Sequence, residues 1–144
     1  MDKKTQSKIC NWSLLVFAIL MLASGIQMEA AAGADFLGIG FPAYMVFHVV
    51  VAVLMTVAVF WHIWLHFRWK EWVKRFAALK KRDTKALAIL AAFVLITGIV
   101  ALLLLLFNGM QHNGIGGIHG KIGFVFLAVG LYHVIKRIRF YKRT

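Results

Sequence analysis

Four long apolar runs, separated by short polar segments, set the pattern of this chain. Ile9–Met28 is 20 residues, Ala43–Phe67 is 25, Ala86–Phe107 is 22, and a fourth runs from about Gly117 to Ile135. At about 1.5 Å rise per residue, a helix of this length is long enough to cross a hydrocarbon core of about 30 Å. The runs predict an all-α integral membrane protein, an up-down bundle of four helices in one domain, residues 1–144. Pro42 stands at the start of the second run, where a missing N–H costs little. Between the second and third runs, Trp69, Trp72, Val73, Phe76 and Leu79 recur at steps of three and four among cations. That spacing predicts a short amphipathic segment over 68–82 lying in the membrane interface. The basic start, first run and Ala30-Ala31-Ala32 also have the outline of a signal peptide. The run exceeds the usual 7–15 apolar residues, so it is read as a span.

Composition agrees with the pattern and charge orients it. The chain is 62% hydrophobic with a mean hydropathy of +0.80, which places it among membrane proteins. Its formal charge is +12. In a soluble chain that would suggest nucleic acid; here the cations lie between and beyond the apolar runs, where anionic lipid explains them. Of 17 Lys and Arg, three precede the first run, eight lie in 68–85 and five in the tail. If four spans alternate, sixteen fall on one side, which is then cytoplasmic and holds both termini. In a bacterium that membrane is the inner one. The exception is Lys121, near the outer end of the fourth span.

Within the apolar runs the unusual residues are histidines. His48 and His62 are 14 apart in the second run, and His119 and His133 are 14 apart in the fourth. Fourteen residues bring a helix back to the same seam, about 21 Å further along. On parallel second and fourth spans, His48 would oppose His119 near the outer face, and His62 would oppose His133 near the inner face. Imidazoles in lipid are costly unless they face the bundle interior and find partners. A cofactor held by two imidazoles could bridge each pair; side-chain packing between helices is the alternative. His66 rivals His62 as a ligand, since it lies 18 residues, five turns, from His48. His62 and His66 could also bind a metal as an i, i+4 pair. Two histidines with no acid or cysteine at their depth make a poor zinc set.

The chain also carries a weak internal repeat. Ser24-Gly25-Ile26 in the first run matches Thr97-Gly98-Ile99 in the third. Trp61-His62 before Arg68 matches Tyr132-His133 before Arg137. The chain reads as one helical hairpin used twice, and in that register His66 matches Arg137, not a ligand.

This pattern resembles the di-haem cytochrome b fold, and with it the small bacterial four-span, cytochrome-b-like proteins described only as a domain of unknown function. The features that carry the resemblance are His48-x13-His62, His119-x13-His133 and the steps Ser24-Gly25 and Thr97-Gly98, which cover nearly the whole chain. It implies two b haems, each held by two histidines, passing electrons across the membrane to and from a quinone (menaquinone or ubiquinone) and a redox partner. Cys10 is the lone cysteine and no C-x-x-C-H motif is present, so any haem would be held non-covalently. Gly25, Gly98, Gly123 and Gly130 could make room for a macrocycle, or for ordinary helix packing. Lys121 could pair with an outer propionate, and Arg68, Lys70 and Arg137 with inner ones. Positive-inside topology also accounts for the last three. Glu29, Asp35, Gln111 and His112 could line an outer quinone or proton site, or be exposed loop residues. Trp12, Trp61, Trp64, Trp69, Trp72 and Tyr141 form an inner aromatic belt.

No G-x-G-x-x-G or P-loop is present. A redox chain of this size would work with a periplasmic or cytoplasmic partner subunit, or as a homodimer. Two other functions fit the same runs: a membrane anchor or assembly subunit whose histidines only pack, and a small metal-ion transporter.

Overall fold

The structure, a computed structural model, describes residues 1–31, 39–66, 82–108 and 114–143. These form four helices: α1 Lys3–Ala31, α2 Phe41–His66, α3 Arg82–Phe107 and α4 Gly114–Arg143. All four are long and apolar enough to cross a membrane. The expected interfacial segment and Arg68 lie outside the described residues, apart from Arg82, which opens α3. Arg137 lies in α4, but its side chain is outside them too.

Helix ends follow from local chemistry. Asp2 caps α1: its Oδ1 accepts the Thr5 N–H at 3.1 Å, satisfying one of the donors a helix N-terminus leaves open. Gly40 supplies the carbonyl that receives Ala43 N–H at 3.0 Å, and Pro42 sits in the first turn of α2, where a ring without an N–H breaks no helical bond. α1 and α4 extend past the apolar runs. Lys3–Lys8 and Lys136–Arg143 continue the helices into polar sequence, because Lys and Arg are good helix formers and hydrophobicity marks the membrane, not the helix end.

The helices pair as two hairpins. α1 lies along α2, and α3 along α4, with α1 also touching α4. Ser7, Asn11 and Ser24 of α1 meet His66, His62 and His48 of α2. The order reverses, so the hairpin is antiparallel. In the second hairpin, Gly98 lies against His119 and Leu87 against Gly130, again antiparallel. At the ends near residues 28–45 and 105, Phe41, Met45 and Leu105 form a buried cluster with Met28 against it, so three helices meet there.

The outer surface is apolar. On α2, Val46, Val50, Val53, Val57, Phe60 and Trp64 are all exposed, at alternating steps of four and three. On α3, Ile89, Phe93, Ile96, Val100, Leu103 and Phe107 repeat the pattern. Apolar stripes this long on the outside of a helical protein suit a hydrocarbon solvent, where every backbone polar group is satisfied within its own helix.

Candidate functional site: a pair of facing histidines

His48 and His119 face each other across the two hairpins. Their ring centroids are 6.2 Å apart and their planes stand at 89°. Both rings are half-buried. Each is met by a hydroxyl from the neighbouring helix of its own hairpin. Ser24 Oγ lies 2.8 Å from His48 Nδ1, and Ser24 is 1% exposed, the one buried polar side chain among the described residues. Thr97 Oγ1 lies 3.3 Å from His119 Nδ1, which is also 3.1 Å from the Val94 carbonyl. Both hydroxyls point back at their own helix: Ser24 Oγ is 3.2 Å from Met21 O, and Thr97 Oγ1 is 2.7 Å from Phe93 O.

Gly98 lets His119 approach α3. A Cβ at position 98 would stand 2.9 Å from His119 Cε1 and 3.2 Å from Nδ1. The room at this glycine is thus taken by an imidazole. Gly25, its repeat counterpart, and Gly123 have nothing within 4 Å of an added Cβ, whereas Gly130 meets Leu87 Cδ1 at 3.8 Å. Open space therefore lies beside Gly25 and Gly123. Exposed Lys121 follows His119 by two residues. Glu29 of α1 brings Oε2 to 3.7 Å from the Cβ position of Gly120, so a carboxylate and an ammonium both belong to this end of the molecule.

At the opposite end, His62 Nδ1 lies 3.0 Å from Asn11 Oδ1. The His62 and His66 rings are 4.5 Å apart, tilted by 49°. His66 is exposed, and its Nε2 is 3.3 Å from Ser7 Oγ. His133 is half-buried on α4. The geometry thus brings the rings of His48 and His119 together edge-on, and ties His62 to α1 and to its own helix. Nearby, Cys10 is fully buried, with its thiol 3.5 Å from the Ala58 carbonyl. Asp35, Gln111 and His112 lie outside the described residues.

Sequence reasoning valued Ser24-Gly25 and Thr97-Gly98 for their glycines and overlooked the hydroxyls beside them. It also passed over Ser7 and Asn11. A usable signal was there: a polar side chain in an apolar run, at the depth of a histidine on the next run. Protein-family models, curated proteins and solved structures were all compared with this chain, and none matches.

Proposed function

We propose that the chain is a small di-haem cytochrome b. It would sit in a bacterial inner membrane as an up-down bundle of four spans, both termini cytoplasmic. His48 and His119 would hold an outer haem b, and His62 and His133 an inner one. The observation that carries this reading is the 6.2 Å between the outer ring centroids. The two rings come from different hairpins, and each turns Nδ1 to an oxygen of its own hairpin, which leaves an Nε2 on each for a shared metal. The donor set also fits. Among the described residues no three His, Cys, Asp or Glu side chains converge. A bare zinc or copper ion would be short of ligands there, whereas a porphyrin brings four nitrogens and asks the protein for two.

A haem held by two imidazoles would supply one-electron transfer rather than oxygen binding. The remaining work falls to the chain. α2 and α4 would each supply one histidine, so the two hairpins together would make the outer site. The apolar faces of the helices keep bulk water from it. Open space beside Gly25 and Gly123 suits the flat edge of a macrocycle. Lys121, and Arg68 and Arg137 at the other end, are the cations for propionates. At the inner end His62 is the better ligand candidate than His66, whose Nε2 already faces Ser7. Electrons would pass to or from a quinone at one face and a redox protein at the other.

The test is a pyridine haemochrome on detergent-purified protein, beside oxidised and reduced spectra. Two low-spin b haems per chain are expected. His48→Ala or His119→Ala should lose only the outer haem, and His62→Ala or His133→Ala only the inner. Protein that stays colourless after expression with ample haem would sink the cytochrome reading and leave an anchor or a metal carrier.

A further inference from the structure

We infer that Ser24 and Thr97 are positioning residues that lock His48 and His119 into the Nδ1–H tautomer, leaving both Nε2 lone pairs for iron, with Ser24 the more important of the two. This rests on the haem reading.

Counting protons gives the argument. A backbone carbonyl only accepts, so the 3.1 Å contact of His119 Nδ1 with Val94 O requires a proton on Nδ1. The neutral ring then carries its lone pair on Nε2. Thr97 has one hydroxyl proton. Given to Phe93 O at 2.7 Å, it leaves Oγ1 as a second acceptor for the same Nδ1–H. Ser24 repeats the arrangement on α1. By the same count, a Ser24 proton given to Met21 O at 3.2 Å would leave its oxygen to receive His48 Nδ1–H at 2.8 Å. Met21 and Ser24 stand in the register of Val94 and Thr97, so the internal repeat is, in chemical terms, a repeated hydroxyl acceptor for a histidine.

The two copies differ. His119 has two acceptors, because Gly98 opens the Val94 carbonyl to its ring. His48 shows Ser24 alone. A partner at the outer nitrogen of a metal-bound imidazole fixes its tautomer and makes it a stronger donor, and losing such a partner typically weakens metal binding by about 10–100-fold. A stronger donor favours ferric over ferrous iron. Removing Ser24 should therefore raise the midpoint potential of the outer haem and loosen it, and removing Thr97 should do so far less.

The experiment uses the full chain with ¹⁵N-labelled histidine rings, in lipid vesicles, first without haem and then loaded with haem b. The ring-nitrogen NMR shifts of the haem-free protein report each tautomer. Wild type and Ser24→Thr should show His48 and His119 with Nδ1–H. Ser24→Ala should redistribute His48 alone, and Thr97→Ala should leave His119 unchanged. In loaded protein, Ser24→Ala should move the outer potential upward and raise the haem dissociation constant at least 10-fold, with the inner haem unmoved. Wild-type rings with Nε2–H overturn the inference even if Ser24→Ala fails to fold. So does a Thr97→Ala effect as large as that of Ser24→Ala. Rings that respond as expected in a protein that takes up no haem would refute the cytochrome reading and with it the ligand role, a result distinct from failure of the tautomer lock.

Discussion

A methyl group at position 98 would stand 2.9 Å from His119 Cε1, closer than carbon atoms pack, and the ring could not stay where it is. Gly98→Ala should push His119 off the Val94 carbonyl and away from His48. On the proposed cytochrome reading, the expected result is loss of the outer haem, from two haems per chain to one by haemochrome, with the inner haem kept. Gly25→Ala is the matched control, since nothing lies within 4 Å of its added carbon. Haem-free Gly25→Ala should melt no lower than wild type, because alanine is preferred over glycine in a helix by up to about 1 kcal/mol. A fall in outer haem in that variant would report on space for the cofactor and not on folding. At the inner end, His66→Ala should leave both haems in place while His62→Ala removes one, a difference that visible spectra of the two variants would show.

At the scale of elements, each hairpin supplies one ring of the His48–His119 pair. Residues 1–67 bring His48 and Ser24, and residues 82–144 bring His119 and Thr97. Either half expressed alone should bind no haem at that site, and the two expressed together should restore it. Haem in one half alone would mean that some other residue completes the ligation. Helix capping gives a smaller effect. The Thr5 hydroxyl and backbone N–H bond the Asp2 carboxylate and hold its pKa below the usual value. A lowered folded pKa gives stability that is present above the ordinary aspartate range and fades as pH falls through the lowered value. Acidification, or Asp2→Ala at neutral pH, should fray only the first turn of α1, seen as faster amide exchange at residues 4–6.

How far these elements were legible follows from what periodicity carries. The apolar runs located four helices to within a few residues at most ends, and the 14-residue steps brought His48 opposite His119. The span limits fell short of Lys3 and Arg143 because hydropathy reads depth in lipid and not helical hydrogen bonding. The hydroxyls stand out as polar residues at the depth of a histidine, but whether they meet it depends on how each helix is rotated about its axis. Spacing within one run says nothing of that. In the sequence Gly98 reads as room for a macrocycle or as ordinary helix packing, and the structure fills that room with an imidazole.

For the whole molecule, the charge pattern predicts which way four spans would sit in a membrane. The site contacts bring Ser24, Glu29, His48, His119 and Gly120 to one end, and Ser7, Asn11, His62 and His66 to the other. Lys3, Lys4 and Lys8 belong to the second end, with the tail cations close by in sequence to His133. In the proposed topology the positive-inside rule would turn the second end toward the cytoplasm and the His48–His119 pair outward. Two exposed lysines report on this, Lys4 and Lys121. In a Cys10→Ala background, Lys121→Cys should react with a membrane-impermeant maleimide in intact cells, and Lys4→Cys only after permeabilisation. The reverse result would place the His48–His119 pair at the cytoplasmic face. It would leave the ligand geometry untouched but exchange the faces at which quinone and redox partner must be sought. Labelling of both from outside would mean that the four apolar helices do not alternate across the membrane.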